Sequence, residues 1–434
     1  MNSPTVDGLP DGGQLLGPRR GLRRRAQGLV MIGPAFAAAI AYVDPGNFAT
    51  NFAAGSDFGY RLLWVVVAAN TVGMLVQFLS AKLGLATGRN LAQACRERYP
   101  RPVVWGMWVQ AELVAMATDL AEVIGGAVAL SLLFDLPLAV GGVLVTALSF
   151  VILAVDARGR RKFEAVVAGC LACILMGFGW NLLVAGVPLG DAASGLLPTM
   201  PGSEALLIAG GIVGATVMPH VVYLHSDLAR RHRTDTAAGT GTGSLPMVHE
   251  DQRRLLWQVR LDVVVALAFA GVANMAMLVL AARLFHGGPA GADTLEGIHA
   301  GLGALLGGGA AVAFAAALLA SGLASSAVGT YAGQVIMAGF LRRSVPLVLR
   351  RLVTVSPALV VLLLGIDPTQ ALIWSQLTLS FGIPFVLIPL VGFTRDKELM
   401  GPLVNTRATT VAAGCLAAVV VSLNVVLAVT VLTS

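Results

Sequence analysis

The chain has 434 residues, of which 56% are hydrophobic and 12% charged, with a mean hydropathy of +0.81 and a formal net charge of +6. A soluble domain carries about twice that charged fraction, and apolar stretches recur from residue 28 to the C-terminus, so neither a soluble globule nor an added soluble domain fits. The 29 Lys and Arg sit mostly in short connectors between apolar stretches, which marks orientation in a membrane rather than nucleic-acid binding.

In chain order, residues 1–27 hold Arg19, Arg20, Arg23, Arg24 and Arg25 and read as a cytosolic tail without a cleavage site. A hydrocarbon core of about 30 Å needs roughly 20 apolar residues per helix. On that measure eleven spans follow, near 28–56, 59–87, 103–133, 137–155, 163–187, 204–229, 256–285, 307–340, 346–365, 368–393 and 408–432. Alternate connectors collect the basic residues, from Arg89 to Arg101, Arg158 to Lys162, Arg230 to Arg254, and onward to Arg407. The other connectors hold only Arg61 and Arg283, at span edges, so the N-terminus is expected to be cytoplasmic and the C-terminus external. Residues 92–99 suit either a short interfacial helix or a polar loop, and 234–247 read as a flexible cytosolic linker. Cys95, Cys170, Cys173 and Cys415 provide no disulfide framework; the CxxC at 170–173 lies inside an apolar helix and reads as structural.

Two spans are not expected to be continuous helices. The first carries Asp44-Pro45-Gly46-Asn47 in its middle, and the sixth carries Met218-Pro219-His220 after Gly210, Gly211 and Gly214. Proline removes a backbone donor and glycine loosens the turn, so both should unwind there. Spans one and six are corresponding positions of two five-helix halves, and paired interruptions of that kind point to a substrate site between inverted repeats. The expected organisation is a first repeat at 28–187, a second at 204–393, and an eleventh helix with an external C-terminus at 408–434.

A buried acid such as Asp44 is costly in a membrane and is retained for function. Asn47 adds an amide oxygen, and unwound carbonyls near Ala41 and Ala215 add more, a set that suits hard cations. The thioether of Met218 is a soft ligand and shifts the balance toward transition metals, against the alternative that it only fills space. His220 can ligate but better suits titration, and both it and His225 can instead be satisfied core histidines. Glu112, Asp119 and Glu122 fall on one face of the third span, with Arg350 and Arg351 as candidate partners. A proton path accounts for them better than a row of structural salt bridges. Asp262 lies near the cytosolic end of span seven and is expected to be solvated.

These segments resemble the NRAMP family of proton-coupled divalent metal transporters. The likeness extends to AELVAMATDLAEVIG in span three, GATVMPHVVYLHS in span six, LLASGLASSAVGTYAGQVIM in span eight and SQLTLSFGIPFVLIPL in span ten. The resemblance implies an all-α polytopic protein with a LeuT-like fold, five plus five inverted repeats and broken helices one and six. It implies a secondary transporter in the bacterial plasma membrane that imports Mn²⁺ or Fe²⁺, and also Cd²⁺, Co²⁺ or Zn²⁺, with protons. Matched to this sequence, Asp44, Asn47 and Met218 would be metal ligands, with the carbonyls of Ala41 and Ala215 and with Gln376 joining in different states. Asp44, Asp119, Glu122, Glu112, His220, Arg350 and Arg351 would handle protons. No cofactor beyond the transported ions and no nucleic acid is implied, and a monomer in the bilayer is expected. The rivals are a Na⁺-coupled organic-solute symporter of the same fold and a channel. No Ser/His/Asp or metal-hydrolase spacing favours an enzyme.

Overall fold

The computed structural model describes residues 34–156, 160–239, 249–288, 294–342 and 345–433; the expected N-terminal tail, 1–27, lies outside them. Among the described residues the chain is helical throughout. The first span is interrupted: α1 (Pro34–Ala39) passes into a 3-10 turn (Ile40–Val43), and α2 (Pro45–Phe58) starts afresh after Asp44. A second 3-10 turn, Gly59–Leu62, leads to α3 (Leu63–Thr87), which ends where Gly88 turns left-handed and donates back to the Gly84 carbonyl.

Next comes α4 (Leu91–Arg98), the short helix allowed for by the sequence. Its start is a capping box in which Asn90 accepts from Gln93 N and the Gln93 side chain accepts from Asn90 N. Then follow α5 (Arg101–Phe134), α6 (Leu138–Asp156), α7 (Arg160–Ala185) and a one-turn connector helix, α8 (Leu189–Ser194). The sixth span breaks into α9 (Ser203–Val217) and α10 (Pro219–Gly239). After them come α11 (His249–Leu284), α12 (Leu295–Leu306), α13 (Gly308–Leu341), α14 (Leu347–Leu363), α15 (Pro368–Thr394), a single turn α16 (Lys397–Met400) and α17 (Arg407–Thr433). Among the described residues eight helical stretches are long and apolar enough to cross a membrane, and with α1–α2 and α9–α10 each taken as one interrupted pass the helix order supplies eleven candidate crossings. The short helices α8 and α12 were not expected.

Burial separates a central bundle from an outer ring. The most apolar window of Ser203–Arg231 is 83% buried and that of Arg101–Phe134 78%, whereas Arg407–Thr430 is only 22% buried. Apolar Leu183, Met176 and Val411 on the ring are exposed, as lipid-facing side chains should be. Small residues bring the central helices close. At Gly322 of α13 an added Cβ would stand 3.1 Å from the Glu122 carbonyl, and at Gly84 of α3 it would overlap the Ser226 carbonyl.

Two expectations need correction. Residues 234–239, read as the start of a linker, continue α10; the rest of that stretch, 240–247, lies outside the described residues. Asp262, expected to be solvated, is only 9% exposed and accepts a hydrogen bond from the Ala35 backbone at 3.0 Å. The first turn of α1 lies against α11, and its unsatisfied N–H groups need acceptors.

Candidate metal site

Both helix breaks follow from one covalent fact. A helical carbonyl accepts from the N–H four residues on, and proline has no such hydrogen. Pro45 stands four residues after Ala41, and Pro219 four after Ala215. Each proline therefore deprives one carbonyl of its α-helical partner, at the equivalent place in its segment.

Side chains complete the opening. Asp44 leaves the 3-10 turn extended (φ −76°, ψ 168°) and caps α2, its Oδ1 accepting from Asn47 N and from Asn47 Nδ2, each at 2.8 Å. Its Oδ2 has no hydrogen-bond partner. Asn47 spends its amide hydrogens on Asp44 and on the Ala215 carbonyl, 3.1 Å away, which leaves its own Oδ1 without a partner. That second bond ties the first break directly to the second.

Met218 ends α9 with φ 40°, a left-handed conformation uncommon for a residue with a side chain and held here by the turn into Pro219. Gln376 reaches in from α15. Its amide lies so close to Gly46 that an added Cβ there would overlap Nε2, and its backbone carbonyl lies equally close to Gly214. Gln376 is thus wedged between the two broken segments, its Nε2 donating to Ser375 Oγ at 3.1 Å and its Oε1 unpartnered. Asp44, Asn47, Ala215, Met218 and Gln376 have no exposed surface, and Ala41 has 2%. The arrangement is sealed from solvent.

Three unpartnered oxygens, two carbonyls denied their helical donors and one thioether make a mixed donor set with a single formal negative charge. Among the described residues no group of three or more His, Cys, Asp or Glu is arranged to hold a metal ion. Cation affinity rises with the number of charged ligands, so one carboxylate suits reversible rather than permanent binding of a cation. Sulfur among oxygens suits a borderline transition metal better than Ca²⁺ or Mg²⁺.

The sequence reading missed the groups that hold the first break open. Asn274 of α11 donates to the Tyr42 carbonyl at 2.8 Å and accepts from Asn51 at 3.1 Å. Ser321 of α13 donates to the Val43 carbonyl at 2.5 Å, and Thr50 takes the Gly46 carbonyl at 2.9 Å. These bonds satisfy the neighbours of Ala41, as buried backbone requires. Thr216, buried beside Ala215 with no partner for its hydroxyl, is a further missed polar group. A lone Asn, Ser or Thr in an apolar helix carries no local signal of its distant partner.

The carboxylates of α5 are paired as the face pattern suggested. Arg350 reaches Glu112 at 3.0 Å. Arg351, 1% exposed, bonds Asp119 and Ser326 and stands 4.0 Å from Glu122. Neither oxygen of buried Glu122 has a hydrogen-bond partner. His220 meets the Thr118 hydroxyl through Nδ1 at 3.2 Å, and its Nε2 is unpartnered. His225 is a satisfied core histidine, its Nδ1 2.9 Å from Gln77 Oε1. The row ends at two cavities, of about 430 and 310 Å³, which share Arg350 in their walls; Glu112 lines the larger. Salt bridging is therefore real here, and a proton path would have to run through paired groups.

The profile of the Nramp family (natural resistance-associated macrophage protein-like) matches residues 35–430. The chain belongs to the Nramp family. A curated relative from Mycobacterium tuberculosis, named "Divalent metal cation transporter MntH", is 49% identical over 398 residues, 92% of this chain and 90% of that protein. A crystal structure of the Eremococcus coleocola manganese transporter, in complex with an aromatic bis-isothiourea substituted compound, superposes with a TM-score of 0.82 at 31% identity, covering 96% of this chain and 88% of that one. Mhp1, a nucleobase-cation-symport-1 family transporter, shares the fold alone, with a TM-score of 0.58 at 16% identity over 83% of this chain and 78% of its own. This Nramp chain thus has the LeuT-like architecture, and its two breaks meet at the centre of it.

Proposed function

We propose that the chain imports divalent transition metal ions, Mn²⁺ and Fe²⁺ foremost, together with protons, by alternating access. One observation carries the reading: unpartnered oxygens of Asp44, Asn47 and Gln376 lie with the Met218 thioether at two helix breaks that are bonded to each other and sealed from solvent. Buried acceptors without donors cost free energy, which a bound cation would recover. The names and titles of the relatives, divalent metal cation transporter and manganese transporter, accord with it.

In this scheme the ion enters from outside, sheds most of its water and is held by Asp44, Asn47, Met218 and Gln376, with the carbonyls of Ala41 and Ala215. Arrival of a dication changes the field at Asp44 and Asp119, and a proton leaves along Glu122, Glu112, Arg350 and Arg351, with His220 beside the path. The repeats at 28–187 and 204–393 rock about the site, and helix 408–434 lies outside both. The chain works as a monomer in the plasma membrane with its N-terminus cytoplasmic and its C-terminus external. A Na⁺-coupled organic-solute carrier of the same fold has less support, because such a site has no use for sulfur.

Mn²⁺ uptake into proteoliposomes at two external pH values tests the reading. Asp44→Ala and Asn47→Ala are expected to abolish uptake, and inward acidification should accompany Mn²⁺ in the unsubstituted protein. Full Mn²⁺ transport by either variant would sink the site, and Na⁺-dependent uptake of an amino acid would replace the function.

A further inference from the structure

The charges at one end of the bundle leave an imbalance that transport does not use. Lys82 of α3 is 6% exposed, yet its ammonium meets no carboxylate among the described residues. It donates to Asn405 Oδ1 at 2.8 Å and stands 5.9 Å from the Phe78 ring centroid. Asn405 is itself fixed, its Nδ2 donating to Thr394 Oγ1 at 2.9 Å and its backbone N to the Thr394 carbonyl at 3.0 Å. A buried ammonium held by one neutral amide is an incomplete arrangement.

On its other side Asn405 lines a cavity of about 600 Å³, whose walls also carry Arg98, Arg395, Lys397 and Arg407. None of these four is in an ion pair among the described residues. The one acid in the wall, Asp396, is turned to capping α16, its Oδ1 accepting from Glu398 N at 2.9 Å and Leu399 N at 3.3 Å. The first turn of α17 opens here too, adding the positive end of a 27-residue helix. Four cations therefore line one recess with a single carboxylate, and a fifth, Lys82, lies behind Asn405.

We propose that this recess binds the phosphate headgroup of an anionic membrane phospholipid. Its placement selects a lipid over a soluble anion. Arg98 ends α4, Arg395 caps α15 and Arg407 begins α17, so the recess lies where helices leave the membrane. Directly along the same two long helices, Val411 (64% exposed), Ile388 (55%) and Phe385 (50%) present an apolar surface for acyl chains. Arginine forks suit phosphate oxygens, and basic pockets between membrane helices recognise such headgroups. The general positive charge of a cytoplasmic face does not require a concave, acid-poor recess with an ammonium buried behind it. The inference is independent of which ion the carrier moves.

Native mass spectrometry of the purified full chain tests it, with phosphatidylglycerol, phosphatidylcholine or inorganic phosphate added to the detergent-solubilised protein. Arg395→Gln/Arg407→Gln is compared with Arg89→Gln/Arg260→Gln, an equal charge loss from exposed arginines outside the recess. The expected result is preferential retention of phosphatidylglycerol, weakened at least about tenfold in the first variant, as loss of charge-assisted contacts implies, and unchanged in the second. Arg98→Gln, a single change at an exposed side chain, gives the same direction if the double variant is unstable without lipid. Equal retention of phosphatidylglycerol and phosphatidylcholine, equal loss in both double variants, or displacement of the lipid by inorganic phosphate at equal concentration would each overturn the proposal.

Discussion

Arg351→Met separates what the α5 carboxylates do for the fold from what they do for transport. Arg351 is 1% exposed, bonds Asp119, Ser326 and, at 3.4 Å, Ser149, and lies 4.0 Å from Glu122. A unit-charge pair at that last distance is worth about 4 kcal/mol at an effective dielectric constant near 20. Removing the cation leaves two carboxylates buried without a counter-charge, and breaking such a pair costs about 3–5 kcal/mol. The single variant should therefore unfold at a clearly lower temperature in a fluorescence-monitored melt. Adding Asp119→Asn removes one stranded charge, and the double variant should regain roughly half the loss, with a coupling of about 1–3 kcal/mol between the sites. Mn²⁺ uptake then reads the second role: the rescued variant should stay folded while uptake no longer responds to external pH. A single variant as stable as the parent, or a double variant no better than the single, would refute the reasoning.

Met218→Leu keeps the buried volume and removes only sulfur, so stability should change by less than about 1.5 kcal/mol. What remains is an all-oxygen set, and competition against Mn²⁺ uptake should show Cd²⁺ weakened by about tenfold, or 1.4 kcal/mol, while Ca²⁺ gains. Pro219→Ala returns an N–H to the Ala215 carbonyl; if that carbonyl is a ligand as proposed, uptake should fall sharply although the melting temperature holds or rises.

Much of this was legible in the chain itself. Apolar length gave eleven crossings, and Pro45 and Pro219 each announced a break because proline's missing hydrogen is a local fact. The face shared by Glu112, Asp119 and Glu122 is likewise set by helix periodicity alone. What could not be read is long-range pairing. Asn274 looks like any amide in an apolar helix until Tyr42, 232 residues away, is brought against it. Asp262 was misjudged for the same reason, since its depth depends on Ala35, 227 residues distant. Lys82 drew no reading from the sequence, because nothing in its own helix says that Asn405 covers it.

A carrier must close twice in each cycle, once around its cargo and once around nothing. In the proposed cycle the bond from Asn47 Nδ2 to the Ala215 carbonyl, which joins the two unwound segments, would serve as a latch for the second closure. On the proposed reading the same side chain would have two duties at different moments: its oxygen would greet the ion, and its nitrogen would let the protein turn back without one. Asn47→Asp keeps the oxygen and discards the donor, so it should still exchange Mn²⁺ across the membrane when ion is present on both sides. Net uptake, which needs the vacant return, should fall much further than exchange; equal losses in the two measurements would show that the latch serves no return step.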